Sequence, residues 1–388
     1  MAMDLVILIC IFIAVILFAF ACILQKVYKK KTQDRPALRR GKRGSITEQI
    51  ELTPINKDDM CIRDNISIGN IPVEIDPSNL KFSSVLENGY FCKIRRGTLN
   101  INVTAEEKNS NKLVDVLVKR PKNHIEKEML ENELTILRLI GRHPNVLALI
   151  GYTSPMFGRT VVVYESVELG NLQHVLKITK NNFELVGVPE TEFSGLDEFC
   201  VSDLHSFAFQ IANGMEYLTH IPVIHRFLAL RNIFLKRNKT IRIANFGLSK
   251  NVNDYRIIDS MDTPVPLYWM APESYNELIF NEKTDVWSFG VCLYELYSLG
   301  EDPYENVKTL FDHLMEYLEK GNRLSKPKYI DSPEIFDFMK ICWNFKPETR
   351  PCFSDCAQFF KSHLQEFPPA LLEQTQSELK LESNIRKL

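Results

Sequence analysis

The stretch VIHRFLALRNIFL, Val223–Leu235, holds four apolar residues, Phe227 to Leu230, between two polar pairs, His225-Arg226 and Arg231-Asn232. Its last three residues, "IFL", and the following "IRIA" flank the turn "KRNK", a pattern that predicts a short hairpin. Before it, Leu204, Phe207, Ala208, Ile211, Met215 and Leu218 recur at i, i+3, i+4, i+7, the spacing of an amphipathic helix lying on a core. After it, "DVWSFGVCLYELYSLG" from Asp285 to Gly300 is apolar nearly all round, which predicts a helix buried at the centre of a lobe.

The region upstream reads differently. "FSSVL", "FCKIRRGTL" and "VDVLVK" are short, strand-like and separated by Asn, Gly and Glu clusters. Leu130, Leu134, Leu137 and Ile140 then follow helical spacing, and "NVLALIGY" and "TVVVYE" return to strand character. The expectation is α+β: a small antiparallel-sheet lobe with one helix, followed by a larger helical lobe. Residues 177–200 carry no clear period and read as an inserted loop, and 365–388 as a polar tail.

The ends of the chain add a membrane expectation. Leu5 to Leu24 are uncharged and apolar, and about 20 residues at 1.5 Å rise span roughly the 30 Å hydrocarbon core. Lys26, Lys29, Lys30, Lys31, Arg35, Arg39, Arg40, Lys42 and Arg43 follow, so the positive-inside rule predicts residues 1–4 outside and everything after Lys26 in the cytoplasm. A cleaved signal peptide is the rival, with Ala19 and Ala21 as cleavage site, but it lacks a basic n-region. Residues 25–79, with Pro36, Pro54, Pro72 and Pro77, read as a basic juxtamembrane linker. The basic run serves either as a topology signal alone or also as an attraction to anionic lipid. Cys22, at the inner edge of the segment, is a candidate for palmitoylation against a bland lipid-facing reading. A net charge of −2 excludes global attraction to nucleic acid, and nine cysteines without paired spacing suit reduced thiols.

One ordered series decides the family resemblance: "VLENGYFCKI", "VLVK", a helix bearing Glu133, "GRHPNVL", "LGNL", "HRFLALRN", "NFG", "WMAPE", "DVWSFGVCLYEL", "CWNFKPETRP". Over residues 80–364 the chain resembles the protein-kinase catalytic domain with its bilobal fold. Arg231, "PLYWMAPE" and the Cys342-Trp343 pair make it similar to receptor tyrosine kinases, and the short outside segment to receptor-like members with almost no ectodomain.

The resemblance implies that Lys119 grips the nucleotide's α- and β-phosphates and that Glu133 pairs with it. Leu86, Gly89 and Ile94 complete the cofactor-binding positions that it implies. In the glycine-rich loop, however, Glu87 and Cys92 stand at the first and third glycine positions, and glycine is what lets backbone N–H groups approach phosphate. Phe227 occupies the position of the aspartate that accepts the substrate proton, within a loop whose Arg231 and Asn232 match. Asn245 occupies the position of the metal-binding aspartate and, with Asn232, offers Mg²⁺ no formal charge. These departures imply weakened ATP binding and a poor Mg²⁺ site.

Other matches are architectural: His225, Phe246 and Leu137 as a stacked spine, Asp285 as the anchor of the catalytic loop, and Glu273 with Arg350 as an ion pair. Arg226 and Tyr255 are the implied regulatory pair, with a phosphate added to Tyr255 by another kinase and received by Arg226. Two readings of function stand: a pseudokinase acting as signalling scaffold or allosteric partner, as a homo- or heterodimer, and a slow but genuine ATP-dependent tyrosine kinase.

Overall fold

The computed structural model describes residues 73–88, 93–102, 111–153, 160–183, 199–252, 266–304 and 313–366, with 373, 375–377 and 379–380 of the tail. The apolar segment 5–24, Gly89, Cys92, Tyr255 and most of the inserted loop lie outside the described residues. Among the described residues no helix is long and apolar enough to cross a membrane.

Six strands form the first sheet: β1 (Val73–Glu74), β2 (Leu80–Asn88), β3 (Lys93–Asn102), β4 (Asn111–Arg120), β5 (Leu149–Thr153) and β6 (Val161–Glu165), in the order β1-β5-β6-β4-β3-β2. All neighbours are antiparallel except β1, which runs parallel to β5. Within the stretch read as linker, Val73–Glu74 joins the sheet and Ile75 is buried. Two residues are too short to show a period, so the sequence alone could not register them.

Because side chains alternate across a strand, the two faces of β4 have separate fates. Val116 and Val118 pack with Ile75, Leu80, Leu99, Val161 and Val163 on one face. Leu117 joins Ile94, Val162 and Tyr164 in the larger core on the other, the face that Lys119 shares by the same alternation.

The helix α1 (His124–Ile140) starts at Asn123, whose side-chain oxygen accepts the Glu126 N–H at 2.8 Å, and ends at Gly141 with φ 69°. Its buried face carries Leu130, Glu133, Leu134, Leu137 and Ile140, so the Glu133 carboxylate lies among apolar neighbours, while buried Glu126 in the first turn accepts the Lys122 N–H.

The second lobe is helical, as expected. It contains α2 (Leu172–Thr179), α3 (Val201–His220), α4 (Pro272–Glu277), α5 (Glu282–Tyr297), α6 (Leu314–Glu319), α7 (Pro333–Cys342) and α8 (Phe353–Gln365). α2 takes in the first three residues of the stretch read as a patternless insert. Every residue of α5 from Thr284 to Tyr297 is buried, and at Gly290 an added Cβ would come within 2.6 Å of the Trp343 indole nitrogen. Small strands complete the lobe: β7 (Gly170–Asn171), β8 (Val223–Ile224), β9 (Ile233–Leu235), β10 (Ile241–Ile243) and β11 (Lys250–Asn251). The predicted hairpin is β9 with β10, antiparallel in register Ile233↔Ile243.

The lobes are stitched near this hairpin. Ile243 N–H donates to the Asn145 carbonyl at 2.8 Å and Leu147 N–H to the Ile243 carbonyl at 2.9 Å. Arg242, fully buried, donates to Glu165 at 3.1 Å.

Candidate functional site

The end of β4 and the middle of α1 bring Lys119 and Glu133 together: Nζ lies 2.6 Å from Oε2, and both side chains are buried. A buried ammonium requires such a partner, because desolvation of an unpaired charge costs several kcal/mol. The pair implied by the resemblance is therefore formed. Around it, Ile94, Leu117, Leu147, Tyr164, Phe234 and Ala244 line a cleft whose polar residues are Lys119, Glu133 and Asn245. Apolar walls over a lysine suit the base and phosphates of a nucleotide in kind.

Asn245 has φ 66° and ψ 57°, the left-handed region that asparagine tolerates better than most residues. From there its Oδ1 accepts from Lys119 Nζ at 2.8 Å, while its Nδ2 donates to Asn232 Oδ1 at 2.8 Å. Asn232 in turn donates from Nδ2 to the Phe227 carbonyl at 2.7 Å. Both amide oxygens expected to face a metal are thus engaged in hydrogen bonds, and neither carries formal charge. Among the described residues no group of three His, Cys, Asp or Glu side chains could hold a metal ion. The two amides bring no formal charge to Mg²⁺, a hard cation bound best by carboxylate and phosphate oxygens.

Phe227 is buried, and its ring faces the Arg231 guanidinium, whose carbon lies 4.8 Å from the ring centroid. The same guanidinium lies 3.9 Å over Trp269. At the position where a proton acceptor is expected there is an aromatic ring packed against a cation, an arrangement without a lone pair to accept anything.

Behind this front, the loop backbone is held by α5. Asp285 accepts the His225 and Arg226 N–H groups at 2.7 and 2.9 Å. Glu295 Oε2 accepts the Leu230 N–H and the Trp269 indole N–H, each at 2.9 Å. Burial pushes both carboxyls up, to about 7, against the opposing pull of these donors. Burial also pushes His225 down to about 4, so its ring is neutral at pH 7. The tautomer follows from its partners: Nδ1 accepts the Phe227 N–H at 3.2 Å, leaving Nε2–H to donate to the Ala244 carbonyl at 3.1 Å.

His225 meets Phe246 edge-on at 5.0 Å, and Leu137 and Phe246 share the buried core. Glu273 and Arg350 form a bidentate pair at 2.6 and 2.9 Å. Arg226 packs over Phe280, its guanidinium carbon 3.9 Å from the ring centroid.

Sequence reasoning missed several supporting groups. Asn132, one residue before Glu133, donates to the carbonyls of Gly247 and Ser249 at 3.0 and 2.9 Å, tying α1 to the segment after Asn245. Glu295 and the Arg242–Glu165 pair were also unread. A glutamate inside an otherwise apolar helix was the available signal for Glu295, since such a residue must find buried donors.

The family model for protein tyrosine and serine/threonine kinases matches residues 80–360. Over 331 residues the chain is 41% identical to the tyrosine-protein kinase receptor old-1 of Caenorhabditis elegans, covering 82% of this chain and 64% of that protein. It is 38% identical over 372 residues to the receptor-like tyrosine-protein kinase kin-15 of the same organism, covering 86% and 76%. Vascular endothelial growth factor receptor 3 of Danio rerio is 30% identical over 330 residues, with 76% of this chain and 24% of that protein covered. The chain therefore spans slightly under two thirds of the first of these relatives and about a quarter of the third.

Proposed function

The chain belongs to the protein tyrosine and serine/threonine kinase family, and from that premise we propose that it is a receptor-like tyrosine-kinase-type pseudokinase. In this reading it is a single-pass membrane protein with its kinase domain in the cytoplasm, acting as a signalling scaffold or allosteric partner. The observation that carries the reading is Phe227, whose buried ring lies against Arg231 at the proton acceptor's position. General-base catalysis contributes about 10²–10⁴-fold, and a phenyl ring supplies none of it.

Asn245 supports the same conclusion from the metal side. The family's reaction uses ATP with Mg²⁺, and here Lys119 already directs two of its three N–H groups to Glu133 and Asn245. ATP binding is weakened accordingly. The membrane assignment is supported by the uncharged run 5–24 and the basic block after it. With the frame formed and the chemistry missing, docking to another signalling protein, or to a second kinase that phosphorylates Tyr255, remains as the way such a domain acts.

The test is transfer of the γ-phosphoryl group of ATP to a tyrosine peptide by the full chain, beside the double variant Phe227→Asp/Asn245→Asp. The expected result is background transfer by the natural chain and measurable transfer by the double variant. Transfer by the natural chain that Lys119→Met abolishes would overturn the reading in favour of a slow kinase.

A further inference from the structure

The polar chain through Asn245 has a direction that its two ends fix independently. Lys119 Nζ is a donor only, so the Asn245 atom facing it at 2.8 Å must be the oxygen. The Phe227 carbonyl is an acceptor only, so the Asn232 atom facing it at 2.7 Å must be the amide nitrogen. What remains is Asn245 Nδ2–H pointing at Asn232 Oδ1, 2.8 Å away. Glu133, Lys119, Asn245, Asn232 and the Phe227 carbonyl thus form one run of hydrogen bonds with every donor facing an acceptor.

An aspartate at 245 could not complete this run. Its second oxygen would face Asn232 Oδ1 with no hydrogen between, and two acceptors at that separation need a proton or a cation shared between them. We propose that the Asn245 side-chain amide N–H takes the place of a bridging cation, closing the seam between Lys119 and Asn232 so that this part of the fold is complete without metal. The inference rests on the reading that the chain holds no Mg²⁺ for phosphotransfer. It goes further by giving Asn245 a positive role as a positioning residue rather than a vacant ligand.

The bridge has a structural reason to exist. Lys119 stands on β4 and Asn232 on the turn leading into β9, so the amide joins elements of different lobes. Asn132 fastens α1 to Gly247 and Ser249 on the other side of the same left-handed turn. With aspartate at 245 and no shared proton or cation, the turn would hold two acceptors facing one another, which destabilises it.

The test is thermal denaturation of the full chain in mild detergent at mildly alkaline pH, with excess EDTA or with millimolar Mg²⁺, for the natural chain and for Asn245→Asp. The natural chain is expected to melt at the same temperature in both. Asn245→Asp is expected to melt about 4–8 °C lower in EDTA and to recover in Mg²⁺. A natural chain stabilised by Mg²⁺ overturns the bridge, as does a variant that melts normally in EDTA or one that Mg²⁺ does not rescue.

Should Asn245→Asp fail to fold, amide hydrogen exchange over residues 241–251 of the natural chain decides. Equal rates in EDTA and Mg²⁺ are expected, and slower exchange in Mg²⁺ overturns the proposal. A Mg²⁺ response without phosphotransfer removes the bridge alone, whereas phosphotransfer by the natural chain removes the reading on which it rests.

Discussion

The back and the front of the segment His225–Asn232 are held by different chemistry. At the back, two carboxylates of α5, Asp285 and Glu295, accept three backbone N–H groups and one indole N–H. At the front, where substrate and metal would sit, there are two amides, an aromatic ring and a cation packed on that ring. Both sides are hydrogen-bonded, but only the back uses carboxyl groups to hold the backbone, and there Glu295 Oε1 is buried without a hydrogen-bond partner among the described residues. The difference teaches that the groups supporting the loop are not those that would act through it. Residues needed for the reaction can be absent while the frame persists.

That separation can be broken most forcefully under the helical lobe. Arg350→Met removes the fully buried partner of the bidentate pair and leaves the largely covered Glu273 carboxylate without it, and breaking a buried pair costs up to about 3–5 kcal/mol. The expected fall in melting temperature, about 2–4 °C per kcal/mol, should be the largest among these variants. Phe227→Leu, at the front, should lose less than half as much, because it keeps an apolar side chain and breaks no charge pair. Equal losses in thermal denaturation would mean that the front is as structural as the back.

A pH series sharpens the comparison. Burial raises the Glu295 carboxyl from 4.5 to about 7 in the folded state. Its contribution is therefore fully present below the unfolded value and lost as pH rises through about 7. Asp285 acts in the same direction, while neutral His225, depressed to about 4, opposes them as pH falls below its unfolded value. Comparing Glu295→Gln with the natural chain isolates one group. The difference in stability should shift in favour of the variant by roughly 1–3 kcal/mol between acid and mildly alkaline pH. Parallel curves for the two proteins would show that Glu295 does not titrate with folding.

The smallest effect belongs to Asn132→Ala. It removes two hydrogen bonds between α1 and the segment after Asn245, a net loss of about 1 kcal/mol. Faster hydrogen exchange confined to residues 246–250 and α1 is the expected signature. Exchange that accelerates throughout the helical lobe would mean that this tether supports more than the front.

Much of this architecture was legible because it rests on period and order. "VDVLVK" read as a strand, though which of its residues face which core came only with the fold, and the nearly all-round apolar character of Asp285–Gly300 announced a buried helix. The Lys119–Glu133 pair and the Glu273–Arg350 pair were reached through motif position. What escaped was whatever depends on a partner distant in sequence. Val73–Glu74 becomes a strand only because β5 offers an edge. Arg231 lies over both Phe227 and Trp269, and the latter contact depends on where a residue 38 positions later comes to rest. Asn245 could be read from sequence only as a missing charge. That its amide has both a donor and an acceptor partner is a fact of three dimensions.

The central claim, a retained kinase frame without its reaction centre, is tested most directly by thermal shift of the full chain with ATP, with and without Mg²⁺, using Lys119→Met as control. A ligand at 100 times its Kd stabilises a protein by about 2.7 kcal/mol, ample for detection. The account predicts a cooperative melting transition that Mg²⁺ does not move in the presence of ATP. A Mg²⁺-enhanced ATP shift that Lys119→Met abolishes would contradict it.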